Sequence, residues 1–349
     1  MTAPDARAAQ YDVVGIGNAI VDVLAEADDG FLDQHGLVKG SMALVDAERS
    51  DRLYQAMGPG VEMSGGSAAN TMVGVASFGG TAAFIGRVRD DQLGAVFAHD
   101  IRAAGVAYEF PAATAGPSTA RCLILVAPDG ERTMNTYLGA SVELGPGEID
   151  RDLAAAGKFV YGEGYLWDAP DAIAAMSEAM DAARAGGGKV TFSLSDSFCV
   201  DRHRREFAQL LRDRVDIVFA NHDEICSLFE VDDFDKAVAK VEELLRSRTA
   251  ALELACLTRG EQGSLLVTEA GAVAVPAEPT TVVDATGAGD LYAAGVLHGL
   301  ARGLALEECG RLGSLGAAEC LSHFGARPQV PLAEAVRTHA VQTHAARPG

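Results

Sequence analysis

The stretch VVDATGAGDLYAAGVLHGL, residues 282–300, places two glycines between two aspartates and continues into an apolar segment with helical spacing. The small residues Gly287, Ala288 and Gly289 let the backbone approach an anion closely, and their N–H groups fall at the start of the predicted helix. Asp290 lies in the same first turn, within reach of a hydroxyl group that attacks a bound phosphate. In the alternative interpretation the glycines only form a turn, and Asp290 only complements the helix dipole.

Short apolar runs alternate with segments of helical period along most of the chain. This alternation predicts an α/β fold, with a central, mostly parallel sheet covered by helices on both faces. The predicted strands are YDVVGIG (11–17), TAAFIG (81–86), FVYGEG (159–164), KVTFSLS (189–195), VDIVFAN (215–221) and LACLTRG (254–260). The predicted helices cover 67–78, 91–104, 170–186, 202–213 and 235–247.

Two regions, 23–48 and 108–141, interrupt this alternation. They contain short alternating strands such as TARCLILVAP and RTMNTYL, which flank a PDGE turn. We expect these regions to form a small β-rich lid over the carboxyl ends of the core strands, where open α/β sheets bind ligands. The core then consists of 11–22, 49–107 and 142–335.

The charge balance restricts the partners of the protein. Its 28 Lys and Arg residues stand against 49 Asp and Glu residues, a formal net charge of −21. The resulting field repels nucleic acid polymers and anionic membrane surfaces, which are therefore poor partner candidates. No run approaches the ~18 apolar residues of a membrane span, and the six cysteines show neither a C-x-x-C pair nor metal-ligand spacing. We expect a cytoplasmic monomer or homodimer that binds small molecules.

Amide and carboxylate side chains follow two predicted elements near the N-terminus. GNAIVD places an amide and a carboxylate just after the first strand, and SGGSAAN places a glycine pair, a serine and an asparagine at a helix start. These groups can bind sugar hydroxyls, or they can act as caps and turns. An asparagine inside an apolar helix costs propensity unless it binds something. The candidate acceptor-binding residues are Asn18, Asp22, Gly65, Gly66, Ser67 and Asn70.

Two further segments supply candidates. FANHDEI ends a core strand and begins a helix, so Asn221 and Glu224 share one face of a first turn. An ordinary Asn cap with Glu at the third helical position is the alternative. Arg132, in the lid hairpin GERTMN, either moves onto a transferred phosphate as the lid closes or is simply solvated.

Together these motifs resemble the PfkB, or ribokinase-like, kinases over 11–330. DATGAGD is similar to the family signature D-T-x-G-A-G-D, with Ala285 and Thr286 where the family commonly has Thr and a variable residue. GRVRDDQLG follows G-x-V-G-x-D-x-x-G with Arg89 in place of the central glycine, and Asp91 is expected to cap the next helix. GNAIVDVLAEADDGFLDQHGL and VEMSGGSAANT look more like the adenosine kinase branch than like ribokinase or fructokinase.

The resemblance implies transfer of the γ-phosphoryl group of Mg·ATP to the 5′-hydroxyl of a nucleoside, most simply adenosine. It implies that Asp290 is the base, that the amides of 287–289 hold the phosphoryl group, that Asp22, Gly66 and Asn70 hold sugar hydroxyls, and that Asn221 and Glu224 organise Mg²⁺ and its waters. Some family members also bind K⁺ beside the anion loop. The remaining nucleotide-site candidates are Thr258, Gly260, Gly263 and Thr286.

Two alternatives to a nucleoside kinase stay open. The first is a sugar kinase of the ribokinase or fructokinase type. The second, of another class, is a catalytically silent nucleoside or sugar sensor on the same scaffold, for which a base would be unnecessary.

Overall fold

The structure, a computed structural model, describes residues 9–247 and 249–345. The strands are β1 (Tyr11–Ile16), β2 (Ile20–Glu26), β3 (Met42–Leu44), β4 (Val61–Gly65), β5 (Ala82–Ile85), β6 (Val106–Ala107), β7 (Ala120–Val126), β8 (Arg132–Tyr137), β9 (Gly157–Glu163), β10 (Lys189–Ser193), β11 (Ile217–Asn221), β12 (Leu254–Thr258), β13 (Ser264–Thr268) and β14 (Gly271–Val275). The helices are α1 (Asp29–Gln34), α2 (Ala47–Ala56), α3 (Ser67–Ser77), α4 (Gln92–Ala103), α5 (Arg151–Ala155), α6 (Pro170–Ala185), α7 (Ser197–Asp213), α8 (His222–Phe229), α9 (Phe234–Leu245), α10 (Ala288–Ala301), α11 (Leu306–Leu321) and α12 (Leu332–Ala345).

The large sheet has the strand order β14-β13-β12-β11-β10-β9-β1-β5-β6. The strands from β6 to β12 are parallel, and β13 and β14 add an antiparallel edge. Helices cover both faces, because neighbouring residues of one strand enter different cores: Val13 packs with residues of α3, α4, α10 and α11, whereas Val14 packs with residues of α6 to α9. Strands buried on both faces are continuously apolar, so the predicted α/β fold is confirmed.

The small sheet has the order β3-β8-β7-β2-β4, and one of its faces packs against α2 and α4. It extends beyond the lid ranges expected from the sequence, since it takes in residues 20–22 and the whole of Val61–Gly65. The sequence pattern assigns those residues to the core ranges 11–22 and 49–107. β4 reads VEMSG and has no clear alternation, and its membership of the small sheet depends on antiparallel pairing with β2 about forty residues earlier.

The local capping prediction for α4 is confirmed. Asp91 accepts a hydrogen bond from the backbone N–H of Gly94 at 2.8 Å, and it also accepts from the N–H and hydroxyl of Thr119. All six cysteines are buried and free. Among the described residues, no helix is both long and apolar enough to cross a bilayer.

Candidate active site

The anion loop and Asp290 lie where α10 begins. Gly287 precedes the helix with φ of 82°, a left-handed conformation, and a Cβ atom there would lie 2.5 Å from the Cβ of Ala326. In the described structure no side chain caps this helix start. The N–H of Ala288 donates to the carbonyl oxygen of Ala285 at 3.3 Å, so the N–H groups of Gly287 and Gly289 remain for an anion. Asp290 is the third residue of the helix.

Helix α3 orients the Asp290 carboxylate. The Ser67 hydroxyl donates to Oδ1 at 2.7 Å, and Asn70 Nδ2 donates to Oδ2 at 3.0 Å. Ser67 does not cap α3, because Gly66 occupies the N-cap position, so the capping interpretation of Ser67 is wrong. Partial burial desolvates the carboxylate and raises the pKa of Asp290 to about 6, while the two hydrogen bonds and the charge of Arg327 lower it.

Gly65 and Gly66 precede α3, and their lack of side chains lets Asp22 and the backbone of Asn18 approach closely. A Cβ on Gly65 would lie 2.3 Å from Asp22 Oδ2, and a Cβ on Gly66, whose φ is 95°, would lie 2.2 Å from the carbonyl oxygen of Asn18. Burial raises the pKa of Asp22 to about 6, against the charges of Arg327 and Arg132. The structure thus brings these acceptor-site candidates together, close to Ser67 and Asn70.

Glu163 is a buried residue of this site that the sequence prediction missed. It ends β9, and its Oε1 accepts from the backbone N–H of Asn18 at 2.9 Å and from Asn18 Nδ2 at 3.0 Å. Its Oε2 accepts from the N–H of Ala68 at 2.7 Å. Burial raises the pKa of Glu163 to about 7. The available signal was an acidic residue between two glycines at the end of an apolar strand.

Among the described residues, two amide oxygens of the candidate acceptor site have no protein partner. Asn18 is 3% exposed and Asn70 is 5% exposed, and no group in the described residues donates to Oδ1 of either side chain. Because buried polar atoms normally have a hydrogen-bond partner, these two oxygens indicate where a ligand donates O–H or N–H groups.

Arg132 extends from β8 of the small sheet to Asp284, at the start of the loop before α10. Its Nη1 lies 2.8 Å from Asp284 Oδ2, and the two side chains are only 7% and 8% exposed. The guanidinium also lies over the ring of Phe324, 5.1 Å from its centre. The interpretation of Arg132 as a solvated hairpin residue is therefore wrong. Its contact with a transferred phosphate stays a prediction.

Asp284 organises the loop that Arg132 reaches. Its Oδ1 accepts from the N–H of Thr286 at 3.1 Å and from the Thr286 hydroxyl at 2.9 Å, and its Oδ2 accepts from the N–H of Gly325 at 2.9 Å. The Thr286 hydroxyl thus donates within the protein. Its contact with a nucleotide stays a prediction.

Asn221 and Glu224 form a reciprocal cap at the start of α8. Asn221 Oδ1 accepts from the N–H of Glu224 at 2.9 Å, and Glu224 Oε2 accepts from the N–H of Asn221 at 3.0 Å. The capping interpretation is confirmed as local geometry. Glu224 is 5% exposed, and burial raises its pKa to about 7, with the charges of Asp196 and Asp290 acting in the same direction.

The side chains of Asn221 and Glu224 fit a hydrated magnesium ion. Within 9–247 and 249–345 there is no group of three or more His, Cys, Asp or Glu side chains arranged to hold a metal directly. Mg²⁺ usually keeps several waters and uses one or two carboxylates together with substrate phosphates. Each oxygen of Glu224 keeps a second lone pair for such a water.

The segment after β12 lies beside this cap. Thr258 is paired with Asn221 on one side and with Ser264 on the other. Gly260 and Gly263 have φ of 56° and 80°, and a Cβ on Gly263 would lie 2.1 Å from the carbonyl oxygen of Val275. The positive φ favours glycine at both positions, and the close contact with Val275 excludes a side chain at Gly263. Their contact with a nucleotide stays a prediction.

Comparisons with known proteins agree with this arrangement. The model of the pfkB family carbohydrate kinases matches residues 44–333. The crystal structure of adenosine kinase from Sinorhizobium meliloti is 51% identical, with a TM-score of 0.86 over 95% of this chain and 100% of that one. A probable sugar kinase from Rhizobium etli is 46% identical, with a TM-score of 0.87 over 95% and 99%. Probable fructokinase-6 of Arabidopsis thaliana is 32% identical over 78% of this chain and 73% of its own. The chain belongs to the pfkB family of carbohydrate kinases.

Proposed function

We propose that the protein transfers the γ-phosphoryl group of Mg·ATP to the 5′-hydroxyl of a nucleoside, with adenosine as the acceptor. The single observation that carries the proposal is the position of Asp290. Its carboxylate lies in the first turn of α10, beside uncapped backbone N–H groups, and Ser67 and Asn70 fix its orientation.

The reaction follows from these groups. With a pKa of about 6, Asp290 is ionised at neutral pH and takes the proton of the attacking hydroxyl. The acceptor oxygen forms a bond to the γ-phosphorus, the bond to the bridging oxygen breaks, and ADP leaves. The N–H groups of Gly287 and Gly289 stabilise negative charge on the phosphoryl oxygens. Bound near Glu224 and Asn221, Mg²⁺ would neutralise charge on the nucleotide phosphates.

The acceptor site fits a polyhydroxylated ligand. The unpartnered amide oxygens of Asn18 and Asn70 accept hydrogen bonds from hydroxyl groups, and Asp22 accepts further ones. A ribose or a free sugar would satisfy these groups equally. The choice between nucleoside and sugar therefore depends on what surrounds the rest of the acceptor.

The small sheet, which we propose acts as a lid, supports a nucleoside as the acceptor. Its pairing register places apolar side chains on the face that carries Asp22, because directly paired residues of neighbouring strands point to the same side. The flat base of a nucleoside can pack against such an apolar face, whereas a free sugar has no comparable apolar group. The similarity to an adenosine kinase at 51% identity supports the same choice. These apolar residues are Leu24, Met42, Cys122, Ile124 and Met134.

An acceptor panel tests the proposal. Release of ADP from Mg·ATP is measured with adenosine, other nucleosides, ribose and fructose, in potassium and in sodium buffers, with and without EDTA. We expect turnover with adenosine that EDTA abolishes, and a comparison of the two buffers tests a K⁺ requirement. Turnover with fructose or ribose alone would identify a sugar kinase, and no turnover with any acceptor would favour a sensor.

A further inference from the structure

Arg327 lies behind the acceptor site, in the segment between α11 and α12. It makes four hydrogen bonds to two residues of another part of the chain. Nε and Nη2 donate to the carbonyl oxygen of Ser64 at 2.9 and 2.7 Å, Nη2 donates to the Ser64 hydroxyl at 3.0 Å, and Nη1 donates to the carbonyl oxygen of Ala69 at 3.2 Å. A planar guanidinium suits such a fixed fork of acceptors.

These hydrogen bonds hold both ends of the acceptor turn, which we define as residues 64–70. Ser64 immediately precedes the glycine pair at 65–66, and Ala69 immediately precedes Asn70, which donates to the Asp290 carboxylate. Arg327 therefore fixes both ends of the segment that carries the glycines, Ser67 and Asn70. Loss of the fork would leave this turn free to shift relative to the base.

The neighbours of Arg327 join the same turn to the anion loop. The N–H of Gly325 donates to Asp284 at 2.9 Å, and Ala326 lies against Gly287, where a Cβ would come within 2.5 Å. The segment 325–327 thus contacts the phosphate side of the site at one end and the acceptor side at the other. Because in-line transfer depends on the distance between the two, the segment sets a geometry on which the reaction depends.

Arg327 also places a positive charge among acidic side chains. Desolvation lowers its pKa to about 10, so the guanidinium stays charged at neutral pH, and the carboxylates of Asp100, Asp22 and Asp290 favour that charge. In return, Arg327 lowers the pKa of both Asp22 and Asp290, against the effect of their burial. Other groups that interact electrostatically with Asp290 or Asp22 are Tyr161, Glu163, Tyr165, Glu224, Cys320, Cys122 and Arg132.

We propose that Arg327 is a positioning residue that fixes the acceptor turn relative to Asp290 and whose positive charge acts on Asp22 and Asp290. It touches no reacting atom in this arrangement. The inference rests on the proposed function, because the role of the turn is to hold the acceptor for phosphoryl transfer.

The test separates the charge of Arg327 from its hydrogen bonds. Arg327→Gln removes the charge, and we expect the acid limb of the kcat/KM profile to move to higher pH, because Arg327 lowers the pKa of Asp290. Arg327→Lys keeps the charge but loses the planar fork, so the acid limb stays and the acceptor KM rises about tenfold or more. An unmoved acid limb in Arg327→Gln, or a wild-type KM in Arg327→Lys, would overturn the corresponding half of the proposal.

Arg302→Gln is the matched control. Arg302 also donates to two carbonyl oxygens, those of His298 and Gly79, and faces an aspartate, Asp12, at 3.5 Å. It lies after the last turn of α10, at the opposite end of that helix from Asp290. We expect this variant to keep the wild-type pH profile and acceptor KM.

Asp100→Asn provides a second variant in case the Arg327 variants fold poorly. Asp100 Oδ2 accepts from the Ser64 N–H at 2.8 Å and from its hydroxyl at 2.6 Å, and an amide oxygen can still accept. When this negative charge is removed, it no longer offsets the positive charge of Arg327, which then acts more strongly on Asp22 and Asp290. The acid limb should therefore move downward, opposite to Arg327→Gln, and an upward shift would contradict the proposal.

A stability measurement distinguishes this inference from the proposed function. If the wild type transfers no phosphate to any acceptor, the proposed function fails, and the Tm gap between wild type and Arg327→Gln is then measured from pH 4 to pH 7. Because Arg327 stabilises ionised Asp22 and Asp290, the gap should widen as these groups ionise. A gap that stays constant with pH would indicate a purely structural arginine.

Discussion

Asn70 Nδ2 donates a hydrogen bond to Asp290 Oδ2 at 3.0 Å, although 220 positions separate the two residues in the chain. The Ser67 hydroxyl donates to the other oxygen of the same carboxylate. Both donors favour the ionised form and so oppose the desolvation that raises its pKa. Helix α3 therefore does two things for Asp290: it fixes the orientation of the carboxylate and helps to keep it deprotonated.

This relationship predicts a pH dependence. Asp290 accepts a proton only when it is ionised, and its pKa is about 6, so kcat/KM should fall as the pH is lowered through about 6. Asn70→Ala removes one donor to the ionised form, which raises the pKa and should move this acid limb to higher pH. The measurement is a kcat/KM profile from pH 5 to pH 9.

Asn135→Ala is the control for this profile. Asn135 is another buried asparagine, and its position in β8 places it on the face of the small sheet opposite Asp22. Its removal should leave the acid limb where it is. An acid limb in Asn70→Ala that coincides with the wild-type limb would show that a group other than Asp290 controls the profile.

Two glycines of the anion loop give a matched pair of variants. Gly287→Ala forces a side chain into a left-handed conformation and toward Ala326, at a cost of about 1–3 kcal/mol for the backbone alone. Gly289 faces open space, because a Cβ atom added there would meet no other atom within 4 Å. We expect Gly287→Ala to lower the free energy of unfolding by about 1–3 kcal/mol and Gly289→Ala to lower it much less. Equal losses would contradict this account of the loop.

The buried pair of Arg132 and Asp284 predicts strong energetic coupling between the small sheet and the loop before α10. Removal of one partner leaves a buried charge unpaired, which typically costs about 3–5 kcal/mol. Asp284→Asn and Arg132→Gln should each lower the free energy of unfolding, and the double variant should be more stable than the sum of the two losses predicts. Urea denaturation of the four proteins gives the coupling energy. Additive losses would show that the pair contributes nothing as a pair.

Much of this fold can be predicted from the sequence because its strands are buried on both faces. Such strands appear as continuous apolar runs, and the helices between them keep a clear period, so the sequence predicts β1, β9 and β11 and helices α3 and α6 to within a few residues. The small sheet is harder to delimit. The pairing of β4 with β2 is a tertiary contact that the short VEMSG sequence does not reveal.

Some residues of the candidate site can likewise be predicted from the local sequence, whereas others cannot. Asp290 and the glycines belong to local motifs with a chemical logic of their own, and the structure places them where the sequence predicts. Glu163 and Arg327 belong to no such motif. Their roles arise from hydrogen bonds to residues 145 and 263 positions away, so they become visible only when the chain is folded.

The measurement that tests the account most directly is the turnover of Asp290→Asn with Mg·ATP and adenosine. The amide keeps the shape of the side chain and removes a desolvated charge, so the variant should fold, bind adenosine and unfold at a Tm no lower than that of the wild type at pH 8. Because it cannot accept the hydroxyl proton, its kcat should fall by at least about 10²-fold. A folded variant with near wild-type kcat would contradict the assignment of Asp290 as the base.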